Sequence, residues 1–107
     1  MPKNYDAVIV EMFADRAGDA GSQAHPLTSL EAMATFQKIG FDLISVECGD
    51  VDQIAEAVGA VLERSLKIID IPVLPEFVEV QLEALAVTWV VSQVKSFGHS
   101  HCKNHQS

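Results

Sequence analysis

The residues with the clearest chemical potential lie at the C-terminus. In Gly98-His99-Ser100-His101-Cys102-Lys103-Asn104-His105, three of the chain's four histidines and one of its two cysteines fall within seven residues. Neutral imidazole and thiolate are preferred ligands of zinc, copper and nickel, and a short histidine-rich tract reads as metal binding on composition alone. His99, His101, Cys102 and His105 are therefore the candidate ligands of a transition metal ion. Their spacing matches no four-ligand framework, and no second ligand pair elsewhere would close a structural site. The competing expectation is a flexible, solvated tail over residues 99–107 that takes up metal only incidentally.

Cys48 is the second candidate. The spacing predicts a strand ending at this residue, followed by Gly49 and a helix. Open α/β sheets place ligands at such a junction, and a helix N-terminus lowers a thiol's pKa. Its neighbours Glu47, Asp50 and Asp52 are acidic and oppose the thiolate, and no Cys-x-x-Cys is present. Cys48 is either a possible reactive thiol or a buried structural cysteine.

A glycine-containing stretch, residues 14–27, supplies the third set. Loops before a helix can cradle phosphate on backbone donors, and Asp15, Arg16, Asp19 and His25 are the polar groups available to meet a ligand there. The stretch lacks the lysine and the spacing of a P-loop. Paired carboxylates add little: Glu76, Glu79 and Glu83 share one helical stripe, the pattern of a solvated face.

These residues need elements to position them. Residues 6–13 (Asp-Ala-Val-Ile-Val-Glu-Met-Phe) contain a β-branched run and read as a strand. Thr28-Ser29-Leu30-Glu31 reads as a capping box opening a helix that stops at Gly40. Residues 41–48 alternate and read as a second strand. Asp50-Val51-Asp52-Gln53 reads as another capping box, before an amphipathic helix carrying Ile54, Val58, Val61 and Leu62. Residues 67–74 read as a third strand with Pro72 near an edge or end. Residues 76–97 read as one long helix, with Pro75 before it and Lys95 and Gly98 at its end, although Val87-Thr88-Trp89-Val90-Val91 is rich in strand formers. The order is β-α-β-α-β-α, which predicts an α/β fold, or an α+β two-layer sandwich, with a small parallel or mixed sheet. A single domain over residues 1–98 and the tail at 99–107 complete the organisation.

Bulk properties narrow the function. The chain has 107 residues, enough for one domain. Its net charge is −8 and its basic residues are scattered, so nucleic acid and anionic membranes are not expected partners. No secretory leader and no membrane-spanning stretch is apparent. Two widely separated cysteines give no disulfide framework, so a reducing, cytoplasmic location is expected.

From Ala84 to Val94 the last helix is apolar almost all round. One small domain covers only one side of a helix, so a homo-oligomer contact through Val87, Trp89, Val90 and Val94 is expected. Without a nucleophile–base pair or a cofactor fingerprint, the leading expectation is a non-enzymatic interaction protein. It self-associates through its last helix and meets a protein partner. The alternatives are a metal sensor or carrier using the His/Cys tail, and, more weakly, a small oligomeric enzyme with Cys48 or the 14–27 stretch at its site.

Overall fold

The computed structural model describes residues 3–21, 28–66 and 76–103. Their regular structure is helical throughout: α1 (Tyr5–Gly21), α2 (Ser29–Val46), a 3-10 turn (Cys48–Asp50), α3 (Val51–Leu66) and α4 (Glu76–His101). No strand occurs among the described residues, so the expected α/β or α+β fold with its β-α-β-α-β-α order is overturned. The architecture is a small all-helical bundle in which α3 packs against α1, α2 and α4.

The first expected strand lies inside α1. Asn4 opens the helix, its side-chain oxygen accepting from the Ala7 amide at 3.2 Å. Tyr5 and Ile9 are then buried one turn apart, Phe13 packs on the core a turn further on, and Val8 and Val10 stand exposed. The β-branched run suggested a strand. The wider spacing of Tyr5, Ile9 and Phe13 is helical, and their burial decides the outcome over local propensity. Of the expected loop over 14–27, residues 14–21 continue α1 and residues 22–27 lie outside the described residues.

The Thr28 capping box is present in full, with the Glu31 amide donating to the Thr28 hydroxyl and the Thr28 amide donating to the Glu31 carboxylate. The helix it opens does not stop at Gly40 but runs to Val46, absorbing most of the second expected strand. Gly40 is there for packing. A Cβ at this position would stand 2.8 Å from a Val94 methyl, closer than carbon atoms approach. The alternation over 41–48 is misleading for the same reason: Ile44 is buried, while Val46 is 81% exposed.

The amphipathic helix at α3 forms as expected, burying Ile54, Val58, Val61 and Leu62. The third expected strand, 67–74, lies outside the described residues. The last element is one helix, extending past Lys95 and Gly98 to His101. Its buried positions, Val90, Val94, Gly98 and Cys102, recur every four residues and face the core. Gly98 is again a packing glycine, since a Cβ there would meet Ile44 at 3.0 Å. Between α1 and α2, the rings of Phe13 and Phe36 stack with centroids 4.4 Å apart. Among the described residues no charged side chain is buried, and the hydroxyl of buried Tyr5 is hydrogen-bonded.

Candidate functional site

The corner between α2 and α3 gathers more specific contacts than any other surface described. Cys48, which opens the 3-10 turn, is joined to Cys102 by a disulfide with a Cα–Cα separation of 5.3 Å across 54 residues of sequence. This corrects the expectation of two unpaired cysteines, and with it the basis for a reducing compartment. Sequence distance is no guide to spatial distance in a bundle: the end of α4 returns to the start of α3.

The same turn holds the start of α1. The Tyr5 hydroxyl donates at 2.5 Å to Asp50 and also lies 3.0 Å from a Glu47 carboxylate oxygen. Lys3 pairs with Glu47. Burial, the hydrogen bond to Asp50 and that carboxylate's charge together push the Tyr5 phenol up to about 12, so it remains a neutral donor. Asp50, expected in a second capping box, thus ends the 3-10 turn as the acceptor of a tertiary hydrogen bond.

Three of the expected metal ligands, His99, His101 and Cys102, are among the described residues. His99 pairs with Asp52 of α3 at 2.9 Å, and His101 stacks on Phe97 with centroids 5.1 Å apart. Cys102 is buried and bonded to Cys48, and His105 lies outside the described residues. Among the described residues no group of three or more histidines, cysteines or carboxylates is arranged to hold a metal ion. Residues 99–101, expected as flexible tail, are the last turn of α4.

Two of the ligand-loop candidates have described side chains. Asp15 and Arg16 lie on α1, where Arg16 bonds Asp42 of α2 at 2.7 Å. Lys38 reaches the other Asp42 oxygen at 2.7 Å. Partial burial alone would raise the Asp42 pKa, but these two cations outweigh it and hold the carboxyl below its usual range. Asp19 is on α1 as well, and His25 lies outside the described residues.

A hollow of about 490 Å³ lies between the start of α1 and α3, lined by Lys3, Asn4, Asp6, Asp52 and Glu56 among others. Asp6 pairs there with Arg64 and Glu56 with Lys95, each at 3.6 Å, and Asp52 is hydrogen-bonded to His99 at 2.9 Å.

The apolar surface is different. Leu30 is 75% exposed, Leu85 66%, Leu82 47% and Trp89 46%. With Met33 and Leu66 they line a groove of about 320 Å³ between α2 and α4. A second hollow of about 280 Å³ shares Leu30, Met33 and Trp89 and extends the face along α2. Single exposed hydrophobes are ordinary, but a contiguous set from two helices is the signature of a contact surface.

Of the expected oligomer contacts, only Trp89 faces outward. Val90 and Val94 are fully buried within the chain, and Val87 is half-buried, packed where Gly59 leaves room. Sequence reasoning did not single out Leu82, Leu85 and Leu30. The signal for the first two was available, since Leu82, Leu85 and Trp89 lie at i, i+3 and i+7, one stripe of a helix. Nothing comparable pointed to Tyr5, whose partners come from a turn more than forty residues away.

Among the described residues, no helix is long and apolar enough to cross a membrane. No family model, no curated protein and no solved structure matches the chain.

Proposed function

We propose that this chain is a non-enzymatic interaction protein that self-associates through α4, the docking face being Leu82, Leu85 and Trp89 flanked by Leu30 and Met33 of α2. The observation that carries this reading is the exposure of those large apolar side chains along one groove. Residues 81–89 contain no buried position, whereas residues 90–102 bury one every turn. Among the described side chains, Leu82, Leu85 and Trp89 of α4 are thus apolar and exposed.

A second copy is the occupant that the pattern favours. Alternating steps of three and four, as in Leu82, Leu85 and Trp89, make the seam that one helix offers another. Two α4 helices packed about a two-fold axis meet with the same residues on both sides, so one stripe supplies both halves of the contact. Burying a leucine side chain contributes roughly 1.5–3 kcal/mol, and the doubled set offsets the repulsion between two copies of net charge −8.

Sedimentation equilibrium tests this directly. The wild-type chain is expected to dimerise at micromolar concentration. Leu85→Asp is expected to be monomeric with unchanged helical circular dichroism, because that side chain is exposed in the single chain. A wild-type chain that stays monomeric up to about 100 µM, the regime of very weak association, overturns the reading.

No specific observation favours the metal-handling alternative: His99, His101 and Cys102 have other partners. A cytoplasmic place of action, expected from the sequence, now carries a condition. In that compartment disulfides are mostly transient, redox-sensing or catalytic, so the Cys48–Cys102 bond would have to open and close there.

A further inference from the structure

The two cysteines of the disulfide differ in exposure. Cys102 is 1% exposed at the end of the buried seam formed by Val90, Val94 and Gly98. Cys48 is only half-buried, at the first position of the 3-10 turn where the chain leaves α2. An incoming thiolate therefore reaches one sulfur more readily than the other, and which sulfur is attacked governs thiol–disulfide exchange.

The position of the bond within the bundle matters equally. The residues that seat α4 on the core, Val90 and Val94 against the α2 and α3 surface around Gly40 and Val58, lie before the bond in the chain. What the bond adds is a tie between the last turn of α4 and the 47–50 corner, which also receives Tyr5 and Lys3 from the start of α1. Three chain segments meet there, one of them held covalently.

We infer that Cys48–Cys102 is a redox latch, opened at Cys48 by a dithiol reductant while the helical core remains folded. A thiolate of the reductant attacks Cys48 Sγ, the disulfide breaks, and Cys102 leaves as a thiolate that takes a proton from solvent. The reductant's second thiolate then attacks the mixed disulfide at the reductant's own sulfur. Cys48 departs and is protonated, and the reductant becomes a disulfide. Two electrons have passed to the protein and two thiols replace the bond. Reclosing is the reverse exchange and requires a disulfide oxidant, such as oxidised glutathione, that accepts the two electrons. Opening frees the corner, the last turn of α4 and the first turn of α1 together. This inference does not depend on self-association.

The test uses the full chain, oxidised, under native conditions. Limiting glutathione is added, the reaction is acid-quenched, and peptide mass spectrometry locates the mixed disulfide. The adduct is expected on Cys48 with Cys102 as the free thiol. Full reduction by dithiothreitol is expected to outpace global unfolding, which is read from amide exchange in α3. It should raise exchange by at least about tenfold in residues 3–6, 47–51 and 98–103, leaving α3 protected. The double variant Cys48→Ser/Cys102→Ser is expected to show the same exchange pattern with no reductant. An adduct on Cys102, reduction limited by the global unfolding rate, deprotection throughout α3, or two thiols that fail to pair in an oxidising glutathione buffer each overturns the latch.

Discussion

Tyr5 and Asp50, 45 residues apart in sequence, are joined by a 2.5 Å hydrogen bond from phenol to carboxylate. The bond fastens the first turn of α1 to the corner from which α3 departs. It also sets the chemical character of the phenol, which resists losing its proton while it donates to a carboxylate.

Tyr5→Phe is expected to destabilise the fold by about 1–3 kcal/mol, the range for losing a hydrogen bond to a charged acceptor. The effect depends on pH with a defined sign. The phenol pKa is raised from 10.0 to about 12, so in that interval the unfolded chain has lost a proton that the folded chain keeps. The contribution is whole below pH 10, declines as pH rises, and is gone above pH 12. Urea unfolding at pH 8 and at about pH 11 checks it: the gap between wild type and variant narrows at the higher pH.

Asp42 gives the opposite sign. Its carboxyl is held below 3.8, so the pairing with Arg16 and Lys38 stabilises the fold above the unfolded value and is lost as pH falls through the folded one. Because the group is partly exposed and screened, Asp42→Asn is expected to cost less than about 1 kcal/mol at neutral pH. Chemical unfolding at pH 7 and at about pH 3 reads this out, with the difference from wild type shrinking under acid.

Gly40→Ala tests the approach of α2 to α4. The added methyl would meet both Val94 methyls, at 2.8 and 2.9 Å, in a core with no slack. A loss of about 1–3 kcal/mol is expected from overpacking, seen as a lower melting temperature with near-native circular dichroism. Val94→Ala costs stability by itself, but combined with Gly40→Ala it is expected to recover part of the loss. The two positions are therefore non-additive.

Salt separates the proposed self-association from docking with an oppositely charged protein. Two copies of an acidic chain repel, so raising sodium chloride from about 0.05 to 0.5 M screens the repulsion and is expected to tighten the dimer. Sedimentation at both salt concentrations measures it. A contact that weakens with salt points instead to a basic partner.

The sequence carried α3 and α4 plainly, and the Thr28–Glu31 cap in full, because these signals are local: a side chain bonding three residues away, or an apolar stripe at helical period. It misled at Val8-Ile9-Val10 and at Phe41–Cys48, where β-branched residues and chance alternation imitate strands. Only burial of Tyr5, Ile9 and Phe13 on one side, and of Phe36, Gly40 and Ile44 on another, separates the two interpretations. Gly40 and Gly98 looked like helix ends because a glycine that permits a turn and a glycine that admits a neighbouring valine are the same letter. The last helix was legible, but its outward face was not. An almost uniformly apolar segment does not show which valines point inward until α2 and α3 are in place.

The uneven seating of α4 has a consequence for substitutions along it. From Val90 to Cys102 a residue is fully buried every turn, while Leu82 and Leu85 stand exposed. The same change, an apolar side chain to a charged one, therefore reads out differently along one helix: in the later stretch it costs folding, and at Leu82 or Leu85 it leaves folding intact and alters only what the surface can meet.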